Sequence, residues 1–76
     1  MPTSSLRDEI AGNVRAELAR AGEGTTVALA RILGLSQPAA ARRMRGAAPF
    51  TTDDLVVIAD HLGVSVDALI HGRVAS

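Results

Sequence analysis

Residues 24–52 contain four arginines, Arg31, Arg42, Arg43 and Arg45, and no acid. A guanidinium offers two parallel N–H groups to guanine O6 and N7 in the major groove of DNA, or to a phosphate. Three of the four lie within residues 42–45, so a helix there carries a basic surface. Taken alone, such a cluster is as often a solvated helix face as a contact surface. The flanking segments have a different charge balance. Residues 53–76 hold four Asp and one Arg, and residues 1–23 hold three Arg against four acids. A formal net charge of zero therefore describes a dipolar chain with its basic side in the middle.

The other reactive residue types do not assemble into chemistry. His61 and His71 fall on different elements, and no Cys or third His is present to complete a metal site. Both are expected at the surface, His71 four residues after Asp67 near a helix C-terminus, where a cation is favourable. Gly22-Glu23-Gly24 has no strand before it and no Gly-Lys-Ser/Thr after it, so it reads as a turn and not as a phosphate cradle. No Ser-His-Asp set or supported carboxylate pair is present. The expectation is no catalysis, no cofactor, no metal and no small-molecule substrate, since 76 residues leave little volume for a pocket.

Composition sets the frame that must position the arginines. Seventy-six residues form one domain, taken as residues 1–76, with a frayed tail at 73–76. Cysteine and lysine are absent, Phe50 is the one aromatic, and a 47% hydrophobic content is too high for a disordered tail. Alanine, the best helix former, is the commonest residue, and no strand-like alternation persists. The fold class expected is all-α. No apolar run approaches the ~18 residues of a membrane span, and the N-terminus lacks the pattern of a signal peptide. A soluble, cytoplasmic protein with no membrane partner is expected.

Five helices follow from caps and stops. Ser5 caps a helix over 6–21, with an apolar stripe of Leu6, Ile10, Val14 and Leu18. Thr25 caps a helix over 26–33, with Val27, Ala30 and Leu33 inward and Ile32 at the edge. Gly34 ends it. Ser36 caps a helix over 37–45, with Pro38 in its first turn, and Gly46 ends that one. The link between the second and third helices is only Gly34-Leu35-Ser36, which holds them at a steep angle. Thr51 caps a helix over 52–62, with Asp54 placed for a capping box and Leu55, Ile58, Ala59 and Leu62 inward. Ser65 caps a short helix over 66–70, which offers Val66, Leu69 and Ile70 inward. Phe50 is read as a core plug between the third and fourth helices in preference to a wedge between DNA bases.

The stretch from Thr25 to Gly46, with Leu29-Ala30, the Gly34 turn, the Ser36 cap and the closing Gly46, resembles the Cro/CI-type helix-turn-helix of phage and bacterial repressors, the lambda-repressor-like XRE family. The likeness continues through Phe50-Thr51 and residues 58–70 and takes in the first helix, so it covers nearly the whole chain. It implies a compact five-helix domain, a helix-turn-helix at about 25–46, and a third helix inserted in the major groove of an operator. Matched position by position, the base-facing residues are Gln37, Pro38, Ala41 and Arg42, with Arg45 further along the same side. The side chains have the chemistry for such contacts. Gln bonds adenine N6 and N7, Arg bonds guanine, and an Ala methyl or Pro ring packs on a thymine methyl. Phosphate contacts are expected at Thr25, Thr26, Thr51 and Thr52, where helix N-termini offer free N–H groups, and at Ser36. Arg43 has two open roles, phosphate contact or pairing with an acid such as Glu17 or Asp54. Departures from the pattern are Thr26, Ala40 in place of a branched aliphatic, and Arg43 in place of an apolar residue, with Met44 taking the inward role.

The function this implies is a sequence-specific double-stranded DNA-binding regulator, a Cro-like or immunity-type repressor acting at the nucleoid. A different class is kept open, a protein-interaction module such as the antitoxin of a toxin–antitoxin pair. One recognition helix reads few base pairs, so a weak homodimer formed on DNA is expected, with Val66, Ile70 and Val74 as contact candidates.

Overall fold

The computed structural model describes residues 5–72, and within them the chain folds into five helices and no strand. They are α1 (Leu6–Arg20), α2 (Thr26–Leu33), α3 (Gln37–Met44), α4 (Thr52–Leu62) and α5 (Val66–His71). The all-α expectation holds, and each boundary falls within a residue of the sequence reading. Residues 73–76, including the contact candidate Val74, lie outside the described residues.

Each helix begins where a hydroxyl satisfies an otherwise orphan N–H. Ser5, Thr25, Ser36, Thr51 and Ser65 accept from Asp8, Ala28, Ala39, Asp54 and Ala68, respectively. The stops are equally local. At the end of α3, Gly46 has φ 78°, its N–H donates to the Arg43 carbonyl and that of Ala47 to the Arg42 carbonyl. This is a Schellman closure, and it needs a residue that tolerates the left-handed region. Gly34 does the same between α2 and α3 at φ 67°, with Leu35 donating to the Ala30 carbonyl.

The core draws on every helix: Val14 and Leu18 from α1, Leu29 and Ala30 from α2, Ala40 from α3, Leu55, Ile58 and Ala59 from α4, and Leu69 from α5. α1 packs against α5 and α3, while α2 packs against α3 and α4. Phe50 is half-buried against this cluster, as a plug would be.

Two inward faces differ from the sequence reading. Leu6 is 58% exposed, although its spacing places it in the α1 stripe. Residues four apart advance about 40° beyond a full turn, so Leu6 and Leu18 point about 120° apart and cannot both face the core. In α2, Val27 is 46% exposed, and Leu29, outside the predicted face, is completely buried. Steps of three drift about 60° the other way, and the buried face centres on Leu29 and Ala30.

Side chains of α1 also tie down the ends of two other helices. Asn13 Nδ2 donates to the Leu69 carbonyl at 3.1 Å, near the end of α5. Arg15 Nη1 donates to the carbonyl of Met44, the last residue of α3. Donors suit such positions, since the terminal carbonyls are unpaired, and the cationic Arg15 also answers the negative end of the dipole.

Ala40 has no exposed surface, so α3 closes onto the core over a single methyl group. Ala40→Ile should overpack the site and lower stability by about 1–3 kcal/mol, read as a shift of the urea midpoint. An unchanged midpoint would mean that α3 does not sit so close.

Candidate nucleic-acid interface

α3 is the element on which the candidate residues converge. With about 100° of rotation per residue, burying Ala40 and the half-buried Met44 sends Pro38, Arg42 and Arg45 to the opposite side. Gln37 lies at the N-terminal end of the helix. Gln37, Pro38, Arg42 and Arg45 are exposed, and Ala41 is half-buried among them. Pro38, Arg42 and the C-cap residue Arg45 therefore share one outward side with Ala41 at its edge, whereas Gln37, seven residues before Met44, lies in line with the inner side and is exposed at the helix's first turn.

The charge on that surface is not neutralised within the domain. Among the described residues Arg42 and Arg45 make no ion pair, and neither does Arg31 on the exposed side of α2. Arg43 is different. Its Nε donates to Asp54 Oδ2 at 3.2 Å and its Nη1 to the Ala39 carbonyl at 3.4 Å. Of the two acids named as possible partners, the structure thus uses Asp54. Glu17 is 3% exposed and pairs with Arg20 at 2.7 Å.

The three helix N-termini expected to meet phosphate differ electrically. The first turns of α2 and α3 contain no acid, so no carboxylate of their own answers the positive dipole ends beside Thr25, Thr26 and Ser36. The first turn of α4 contains Asp53 and Asp54. There the Thr51 N–H donates to Asp54 Oδ2 at 3.0 Å while Thr51 Oγ1 accepts from the Asp54 N–H at 3.0 Å. Thr51 and Thr52 are exposed, but two carboxylates already answer the dipole beside them. Thr25, Ser36 and Thr51 all use their hydroxyls as caps.

The remaining candidates lie elsewhere. Val66 and Ile70 are half-buried against the core and Leu69 is fully buried, so α5 turns much of its apolar side inward. His61 is exposed at the end of α4, with Nε2 3.0 Å from both carboxylate oxygens of Glu23 in the α1–α2 turn. His71 is 3.7 Å from Asp67 on the same helix. Among the described residues no cluster of His, Cys, Asp or Glu could hold a metal ion, and no helix is long and apolar enough to cross a membrane. A depression of about 150 Å³ lined by Glu17, Arg20, Ala21, Leu62 and Val64 takes no residue from α3.

The sequence reading missed Asn13 and Arg15. Nothing local marks either residue, because each acts on a carbonyl of another helix, 56 and 29 residues away, respectively.

The family model of the BetR domain, a DNA-binding helix-turn-helix-like domain, matches residues 6–75. That span is nearly the whole chain, and the chain belongs to this family. No curated protein and no solved structure matches the chain at a significant level.

The cap of α4 allows a direct check. Thr51→Ala removes the acceptor of the Asp54 N–H and should cost about 1 kcal/mol in urea unfolding. Thr52→Ala, with no bond to lose, should stay within about 0.5 kcal/mol of the parent. Equal effects would show that the hydroxyl of Thr51 is not what starts α4.

Proposed function

We propose that this member of the BetR domain family is a sequence-specific double-stranded DNA-binding transcriptional regulator, a repressor of Cro-like or immunity type. It acts by occupancy and not by catalysis, without cofactor or metal, in the cytoplasm at the nucleoid. The observation that carries the reading is the outward side of α3, where Arg42 and Arg45 stand exposed and unpaired among the described residues, with exposed Gln37 at the N-terminal end of the helix.

A major groove about 12 Å wide accepts one helix, and α3 presents there a Gln for adenine, an Arg for guanine, and apolar Pro38 and Ala41 for thymine methyls. The acid-free starts of α2 and α3 suit the flanking phosphates, with Thr25, Thr26 and Ser36 at the contact. Thr51 and Thr52 are weaker phosphate contacts, because Asp53 and Asp54 oppose an anion there. Zero net charge keeps non-specific attraction low, near ~10⁻⁴ M at physiological salt, so base readout dominates the choice of site.

One such helix reads only a few base pairs. Two copies on a two-fold operator would place their recognition helices one turn of DNA apart, roughly 34–36 Å. The half-buried Val66 and Ile70 leave little apolar surface for this contact, well below the ~1,200 Å² of a stable interface. The protein is therefore a monomer or weak dimer in solution that pairs on DNA, where each bound copy raises the effective concentration of the other.

The decisive experiment selects a preferred duplex from a random library and then compares variants on it. Arg42→Ala and Gln37→Ala should each lose about 1–3 kcal/mol of discrimination at particular base pairs while staying folded. Parental binding by both variants would displace α3 from the groove. Binding to the full operator should exceed twice the half-site free energy, as measured by titration with sedimentation. Equal affinity per copy on both duplexes would remove the pairing.

A further inference from the structure

The arginines of α3 and its C-cap are not equivalent. Arg42 and Arg45 are exposed and unpaired among the described residues, whereas the side chain of Arg43 is only 20% exposed and faces an Asp54 side chain 16% exposed. We infer that Arg43 is a positioning residue: it braces the recognition helix against α4 and makes no contact with DNA. This rests on the DNA-binding reading above and assigns a division of labour within it.

The geometry is that of a strut. One guanidinium nitrogen, Nη1, is bonded to the Ala39 carbonyl of its own helix at 3.4 Å, and another, Nε, to Asp54 Oδ2 at 3.2 Å. That same oxygen accepts the Thr51 N–H at 3.0 Å. A single carboxylate oxygen thus closes the cap of α4 and holds α3 to it. The planar fork of Arg fixes direction as well as distance, which a flexible ammonium would not. The opposite constraint comes from α1, where Arg15 donates to the Met44 carbonyl at the C-terminal end of α3. An eight-residue helix is too short to hold its own orientation, so braces at its side and its end determine where Arg42 and Arg45 point. A phosphate approaching Arg43 would have to displace a carboxylate that is largely shielded from water and already bonded to the backbone.

The test separates the three roles that Arg43 could have. Arg43→Met keeps most of the aliphatic stem and removes the cation. Its affinity for the selected operator, a single-mismatch operator and an unrelated duplex is measured across a salt series, at a temperature where circular dichroism shows the variant fully folded. The expected result is a slope of log affinity against log salt equal to the parent's. Discrimination against the mismatch, for which one wrong base pair imposes roughly five- to 150-fold, should meanwhile fall at least fivefold. A slope flatter by about 0.9 would mean a lost phosphate contact and would overturn the inference. Unchanged slope with unchanged discrimination would reduce Arg43 to a stabilising pair and also overturn it. If Arg43→Met does not fold, Asp54→Asn keeps an oxygen for the Thr51 N–H while removing the charge that holds Arg43. Its discrimination should fall in the same way, and parental discrimination would refute the strut. A parent protein with no operator preference would refute the DNA-binding reading itself, an outcome distinct from any of these.

Discussion

The structure depends on how closely α3 is held against the rest of the domain. Ala40 has no exposed surface, and it is the one fully buried residue that α3 contributes. An eight-residue helix has little stability of its own, so this small anchor, with Met44 beside it, must be supplemented. The supplements are directional: the Ser36 cap at the start, the Gly46 closure at the end, Arg15 on the last carbonyl and Arg43 on Asp54. A small residue at the contact brings the backbone close, and bonds at the ends and side fix the rotation. The outward side of α3 is then determined by what its inner side buries.

Electrostatics follows the same geometry. Two acids are matched by arginines, Glu17 by Arg20 and Asp54 by Arg43, and two others, Glu23 and Asp67, stand beside His61 and His71. Arg31, Arg42 and Arg45 are left without internal partners among the described residues. Zero net charge thus coexists with a local positive surface. The first turns of α2 and α3 add to that surface, while Asp53 and Asp54 subtract from it at α4. This contrast favours an anion approaching from the helix-turn-helix side.

The local features were legible in the sequence. Ser5, Thr25, Ser36, Thr51 and Ser65 each stand before a helical run, and a glycine follows each of the five helices within two residues, so element order and boundaries could be read without tertiary information. The capping box at Thr51 and Asp54 was legible for the same reason. Inward faces were read less well, as Leu6 and Val27 show. A spacing of three or four residues tracks a face for about two turns before the drift accumulates, and tertiary packing decides which part is covered. The outward set on α3 depends on which residue faces in, and Ala40 gave no hydrophobic signal of its own. Long-range polar contacts were the least legible. Arg15 and Asn13 act on carbonyls, which have no sequence signature, and the choice between Glu17 and Asp54 for Arg43 turns on how α1 and α4 lie beside α3.

The central claim is that α3, oriented by its buried side, is the surface that meets DNA. Backbone-amide chemical-shift mapping of the labelled protein, titrated with its selected duplex, tests it most directly. The account predicts the largest shifts across residues 37–45 and at the start of α2, with the acidic outer side of α4, Asp53 and Asp60, little changed. Shifts concentrated on α4 and α5, with α3 unmoved, would contradict it.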